Sequence, residues 1–209
     1  MEIHEKKWNK SLKNEIAKKY FKKIEEKISK DLKSGITIYP KQEKIFAAFE
    51  KTPFDKVKVV ILQDPYHEQA QFCFSVPKTK LPPSLRNIYK ELNSSLIDIS
   101  NSDLTPWTKQ VFLLNAILTV KAEPASHSKI WEFTDAVIKT ISDEKEIIFL
   151  LWAFAQGKKK LIDENKHFVL ETSHPSPFSA HKFLSNCFKK SNEILKKEKT
   201  EIDWKIKDT

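Results

Sequence analysis

Val57-Lys-Val-Val-Ile-Leu-Gln-Asp-Pro-Tyr-His67 passes from a β-branched apolar run into a turn that carries a carboxylate, a phenol and an imidazole. The run Val57 to Leu62 has the composition of a buried strand, and Pro65 stops it. In an open α/β sheet, ligands bind in the crevice beyond the carboxyl ends of the strands, which is where Asp64 falls. An aspartate in such a turn serves equally well as a helix N-cap, so the rest of the chain must decide between the two.

Outward from this strand, elements alternate. Residues 8–34 have helical periodicity (Trp8, Leu12, Ile16, Tyr20, Ile24, Ile28), which predicts one helix ending at Gly35. A connector, Ile36 to Pro40, leads to a predicted short helix over 41–50. A further helix follows Pro83, with Ser84 as its expected N-cap. Apolar runs at 111–118, 146–153 and 167–172 read as three more strands, and helical segments near 84–96, 130–142 and 181–199 separate or follow them. Strands alternating with helices argue for a parallel sheet covered on both faces. The expected fold is α/β: a single three-layer α/β/α domain over residues 1–209, with a central four-stranded, mainly parallel sheet. Internal repeats and low-complexity linkers are not evident.

Composition supports one well-buried core: 40% of the 209 residues are hydrophobic and 31% are charged. Cys73 and Cys187 stand far apart with no metal-ligand spacing, which fits reduced thiols in a cytoplasmic setting. The longest apolar stretch, Val111 to Val120, is interrupted by Asn115 and is about half of what a membrane span requires. The amino end mixes Lys with Glu and lacks an apolar signal core, so no membrane association or export is expected. The net charge of +9 makes a polyanion the natural partner. Much of that excess lies in evenly salted helical stretches, which read first as solvated faces. Arg86 is the sole arginine, so bidentate arginine readout of base edges is largely unavailable and backbone contacts with little sequence preference are expected.

The polar interruptions of the strands line up. Asp64 ends the first, Asn115 interrupts the second, and His174 follows the fourth in Ser173-His-Pro-Ser-Pro-Phe-Ser179. In a parallel sheet these carboxyl ends share one edge, so three residues far apart in sequence converge on one crevice. Taken singly, Asn115 would pass for a satisfied core amide and His174 for a turn residue.

Four ordered segments carry a resemblance: Gln63-Asp-Pro-Tyr-His67, Pro82-Pro-Ser-Leu-Arg-Asn-Ile-Tyr-Lys-Glu-Leu92, Leu113-Leu-Asn-Ala-Ile-Leu-Thr-Val120 and His174-Pro-Ser-Pro-Phe-Ser-Ala180. Together they resemble the motifs of family 1 uracil-DNA glycosylases, and the likeness extends through Thr37 to Pro40, Thr52 to Ile61 and Trp131 to Asp135. It implies an enzyme of base-excision repair that flips a uracil nucleotide out of DNA, because the bond to be broken is inaccessible within the stack.

What the resemblance implies for single residues makes physical sense. Asn115 matches the asparagine that donates to uracil O4 and accepts from N3–H; cytosine presents the opposite pattern at both positions. Tyr66 matches the tyrosine whose ring fills the space of a thymine methyl, and Phe74 the aromatic on which uracil stacks. Asp64 resembles the aspartate that stabilises the cationic sugar and orients the attacking water, and His174 the histidine that hydrogen-bonds uracil O2 as a neutral imidazole. Gln63 and His67 would complete the water and phosphate environment. Pro82, Pro83, Ser84, Ser176, Phe178 and Lys182 fall on the DNA-contacting segments. Neither metal nor cofactor is implied. The partners implied are single- and double-stranded DNA containing uracil and a proteinaceous DNA-mimic inhibitor, with the protein a monomer.

The chain departs from the family where loops touch DNA. Leu62 stands where a glycine usually precedes Gln63, the segment after His67 is about three residues short of the family's Gly-Pro-Gly loop, and Trp152-Ala-Phe-Ala-Gln156 lacks the usual Gly-Ser and one residue. Phe178 replaces the intercalating leucine. Only Gly35 and Gly157 remain in the chain. Glycine permits positive φ and close backbone approach, so the clamp must be built differently. Lys158 to Lys160, Lys182 and Lys189 are candidates to supply longer-range charge instead, and Phe178 to act as a larger wedge. Two rivals stand beside this reading: a non-enzymatic DNA-binding accessory protein with the same fold, and an enzyme with altered base preference.

Overall fold

In the computed structural model, the described residues are 1–63, 81–92, 102–122, 131–179, 183 and 186–205. The helical stretch at the amino end is two helices where one was expected. α1 (Lys6–Ile16) begins at Glu5, whose carboxylate accepts the Trp8 N–H at 2.7 Å. Lys18 then takes extended backbone, and α2 (Lys19–Lys33) starts anew, ending before Gly35 at φ +76°. The apolar stripe runs through the break, so periodicity does not reveal it. A straight helix over the whole span would be roughly 40 Å long, whereas a four-stranded sheet is only about 15 Å wide.

After a two-residue strand, β1 (Ile38–Tyr39), the segment expected as one helix is a 3₁₀ turn, Gln42–Lys44, and a short α3 (Ala47–Lys51). The deciding run becomes β2 (Val59–Gln63), every residue of it buried. α4 (Pro83–Glu91) is capped by Pro82, not by Ser84 as expected. Pro83 explains the difference: its φ is preset for the first helical position, where no N–H is needed, so the helix opens two residues earlier. β3 (Val111–Asn115), β4 (Val120–Lys121), α5 (Phe133–Glu144), β5 (Ile148–Trp152), β6 (Phe168–Thr172) and α6 (Cys187–Leu195) follow. A 3₁₀ stretch, Ala153–Leu161, fills the connection between β5 and β6.

Four strands form one sheet in the order β3-β2-β5-β6, parallel at every pairing, while β1 and β4 make a small antiparallel ladder. Val60 is in register with both Phe112 and Phe149, and Trp152 with Thr172. Side chains alternate across a strand, so Phe112 and Phe149 face one way and Trp152 the other. On the Phe112 side lie Trp8 of α1 (ring centroids 4.6 Å from Phe112), Phe49 of α3 (5.1 Å) and Phe133 of α5, which packs on Phe49 at 6.2 Å. On the other side Trp152 meets Phe183 at 5.1 Å and Phe188 of α6 at 6.0 Å, and Phe188 packs on Trp204 at 4.9 Å. Two aromatic layers on opposite faces are the α/β/α sandwich that the alternation predicts. Trp8, Trp107, Trp131 and Trp152 are all buried, as apolar periodicity implies.

Candidate active site

All four strands of the sheet run the same way, so their carboxyl ends form one edge. Gln63 closes β2 directly beside Asn115, which closes β3. Both are three residues past a Phe112-side position (Val60 and Phe112), so both amides project to the Trp152 face. They are 1% and 6% exposed, yet Gln63 Nε2, Gln63 Oε1 and Asn115 Oδ1 have no hydrogen-bond partner among the described residues. Leaving such a group unpaired costs roughly 1–3 kcal/mol. A fold that accepts this cost at two adjacent strand ends has amides preset for a polar ligand.

Asn115 is held by its backbone neighbours. The Ala116 N–H donates to Gln63 O at 2.8 Å, and Ala116 O accepts the Thr134 hydroxyl at 2.7 Å. The same hydroxyl lies 2.8 Å from Trp131 O, and the Trp131 indole donates to Thr119 at 2.7 Å. Trp131-Glu-Phe-Thr-Asp135 thus holds the loop after β3. The segment carries part of the family resemblance, but nothing in the sequence marks Thr134, because its acceptor lies 18 residues away.

His174 follows β6, three strand spacings from Asn115, or roughly 14 Å. That span is wide enough for a nucleotide between them. The loop closes on itself: the Ser173 hydroxyl donates to Ser179 O at 3.0 Å, the Ser179 hydroxyl donates to His174 O at 2.6 Å, and the Ser176 and Ser179 hydroxyls meet at 3.1 Å. The Ser176 N–H donates to His174 Nδ1 at 3.0 Å. In the neutral ring the proton therefore sits on Nε2, a hydrogen-bond donor. Burial pushes the imidazole below the ordinary histidine range, favouring the uncharged form. At the loop's tip Phe178 is 96% exposed, an apolar side chain presented outright to solvent.

The other expected site residues divide sharply. Pro82 and Pro83 open α4, which reaches the His174 loop through Asn87; Ser84 is buried in its first turn. Ser176 gives its N–H to His174 and its hydroxyl to Ser179, so its role is first of all to shape the loop. Asp64, Tyr66, His67, Phe74 and Lys182 lie outside the described residues, though Asp64 is covalently next to Gln63. Lys158 and Lys159 do not stand free for phosphate: Lys158 pairs with Asp135 at 2.5 Å, and Lys159 with Glu171 at 2.7 Å and Glu164 at 3.1 Å. Both ammonium groups thus have carboxylate partners, which offsets part of the charge this loop offers.

The glycine loss after β5 has a visible consequence. Ala153, where the resemblance expects glycine, sits at φ +47°. This left-handed conformation costs a non-glycine residue roughly 1–2 kcal/mol. Ala153→Gly should therefore stabilise the protein by about 0.5 kcal/mol, the relief of strain exceeding the added flexibility of the unfolded chain. Urea denaturation measures it, and a midpoint lowered by the change would disprove the strain.

Residues 49–196 match the model of the uracil DNA glycosylase superfamily. The chain belongs to that superfamily. A uracil-DNA glycosylase of Azobacteroides pseudotrichonymphae is 50% identical over 216 aligned residues, which span 96% of this chain and 98% of that protein. A uracil-DNA glycosylase of Caenorhabditis elegans is 47% identical, over 94% of this chain and 76% of its own length. Among solved structures, mimivirus uracil-DNA glycosylase superposes with a TM-score of 0.86 at 30% identity, covering 95% of this chain and 86% of that one. A mimivirus UNG variant in complex with UGI gives 0.91 at 30% identity, covering 98% and 89%. The protein is a DNA-repair glycosylase, a hydrolase of N-glycosidic bonds. Full-length likeness to enzymes sets aside the non-enzymatic alternative. Among the described residues, no helix is long and apolar enough to cross a membrane.

Proposed function

We propose that the substrate is a deoxyuridine flipped from single- or double-stranded DNA into the crevice between Asn115 and His174, where water replaces the base at C1′ and leaves an abasic site. The observation that carries this reading is the buried Gln63 amide and Asn115 Oδ1, both without a hydrogen-bond partner among the described residues, at the same sheet edge as a histidine whose Nδ1 accepts a backbone N–H. Asn115 reads uracil O4 and N3–H. Tyr66 excludes the thymine methyl, and Phe74 stacks on the base. As the bond breaks, negative charge grows on uracil and positive charge on the sugar. His174 Nε2–H donates to uracil O2, which carries part of the negative charge, and Asp64 stabilises the sugar cation and orients the water. Donation from a neutral ring suits a uracil anion, because no proton need be transferred for the leaving group to depart.

Gripping falls to the segments at Pro82 to Ser84, Ser176 and Lys182, with Gln63 and His67 beside the reacting centre. Phe178 is the wedge. Its exposure and its position at the tip of a loop braced by serines support insertion between base steps, as apolar side chains do when they unstack DNA. Because unstacking is needed only in a duplex, Phe178→Ala should slow uracil release from duplex by about tenfold or more and from single strands by less than about threefold. Equal rates on duplex for parent and variant would rule the wedge out. The protein works as a monomer in a reducing, cytoplasmic setting, consistent with Cys187 being a buried thiol outside any disulfide. The mimivirus complex with UGI supports sensitivity of the same face to a proteinaceous DNA mimic.

The test is release of uracil from a single-uracil oligonucleotide, single- and double-stranded, without added metal, beside matched cytosine and thymine substrates and an Asp64→Asn variant. Uracil-selective release that disappears in the variant is expected. Binding without release, or preferred release of another base, would overturn the reading.

A further inference from the structure

The peptide joining Pro175 to Ser176 is engaged at both ends. Its N–H donates to His174 Nδ1 at 3.0 Å, and its C=O accepts a hydrogen bond from Asn87 Nδ2 of α4 at 2.8 Å. A trans peptide is planar and holds its N–H and C=O in opposite directions, so fixing the carbonyl aims the amide proton. The loop's own serine bonds engage Ser179 O and His174 O, and none of them engages the Pro175 carbonyl.

α4 holds the far end of the same segment as well. One turn beyond Asn87, Glu91 Oε1 accepts the Cys187 N–H at 2.7 Å, at the start of α6. The N-cap of α6, Asn186, makes no side-chain cap of its own, so α4 supplies it. Two side chains at i and i+4 of one helix thereby bond the backbone at Pro175, next to His174, and at Cys187.

We propose that Asn87 is a positioning residue for His174, acting through the Pro175–Ser176 peptide to keep the imidazole proton on Nε2. This rests on the reading of His174 as the donor to uracil O2. Donation from Asn87 polarises the peptide and makes its N–H a better donor, because hydrogen bonds in a chain strengthen one another. A proton on Nδ1 would face that N–H head-on, so the alternative tautomer, whose Nε2 cannot donate, is excluded. Without Asn87 the peptide is free to rotate about the Pro175 ψ angle, and the tautomers mix.

The test combines kinetics with a spectroscopic signature. In Asn87→Ala and in the near-isosteric Asn87→Asp, whose carboxylate cannot donate, single-turnover uracil release should fall about tenfold with little change in KM. In ¹⁵N-histidine spectra of the parent, His174 should show an unprotonated Nδ1 and a protonated Nε2. Both variants should move the two resonances toward each other. In a His174→Leu background, Asn87→Ala should cost less than about twofold, since the two residues act as one unit. Equal cost in both backgrounds, or an unaltered ¹⁵N signature in folded variants, overturns the proposal. Parental activity of His174→Leu itself would instead sink the assignment of His174 on which it rests.

Discussion

Asn115→Ala will release uracil about a thousandfold more slowly than the parent, and its residual activity will discriminate poorly between uracil and cytosine. Two hydrogen bonds to the base disappear together, each worth roughly 1–3 kcal/mol where the alternative is a buried unpaired group. The geometry makes the effect large. Asn115 is 6% exposed, its strand is buried throughout, and the next residue, Ala116, is held at its N–H by Gln63 O and at its C=O by the Thr134 hydroxyl. Its amide is thus presented without the cost of ordering a mobile side chain. Sites built to pair a polar group reject a substrate with the wrong pattern by roughly 10⁴-fold, far more than shape alone achieves. Rates of uracil and cytosine release from matched oligonucleotides give both numbers. If the variant kept the parental ratio, the base would be read by other groups, Gln63 first among them, since its amide is also buried and unpartnered.

The strand ends were legible in the sequence because a parallel sheet buried on both faces leaves few reasons for a polar residue in an apolar run. Asn115 interrupts such a run; Gln63, which the structure sets beside it, was named only through the family resemblance. His174 was legible for the same reason, as the residue following the edge strand. The tetrad of strands, their parallel sense and the two covering layers also followed from alternation of elements. Local conformation was less so. The break at Ala17 and Lys18 leaves no mark on periodicity, because both helices bury the same kind of residue. Ser84 has the chemistry of a cap, but two preceding prolines offer a better helix start and prevail.

Support for the site was the least legible part. Thr134 and Asn87 look like ordinary polar residues within helices, and their acceptors, Ala116 O and Pro175 O, lie 18 and 88 residues away. One signal was present for Asn87: asparagine is a poor helix former, so its use inside α4 invites a reason. The surroundings of the lysines were not legible either. Lys158 and Lys159, candidates for longer-range charge, have acidic partners on α5, on β6 and at Glu164 in the β5–β6 connection, all distant in sequence or on other elements. After Trp152, Ala153 takes a left-handed conformation that favours glycine, and nothing in the residue type announces it.

His174→Leu should reduce single-turnover uracil release by roughly 10²–10³-fold, the loss typical of removing one oriented donor from a developing anion. The parent's pH profile should distinguish how that donor works. Burial lowers the His174 pKa, and the Ser176 N–H directed at Nδ1 is available to the neutral ring only. Lowering the pH through that depressed pKa puts a proton on Nδ1 and breaks the bond to Ser176. The unfolded chain takes up that proton more readily than the folded one, so the folded state also loses stability as the pH falls. Activity should therefore stay level from slightly alkaline pH down to below the ordinary histidine range and then decline, with that acid limb absent from the residual activity of His174→Leu. An imidazolium donor would give the reverse, a rate that rises as the ring is protonated. A level profile is what the proposed role requires of a site whose electrostatics are set before the substrate arrives: the Ser176 N–H favours one tautomer, burial favours the uncharged ring, and a donor to uracil O2 would then be ready without any proton having to move.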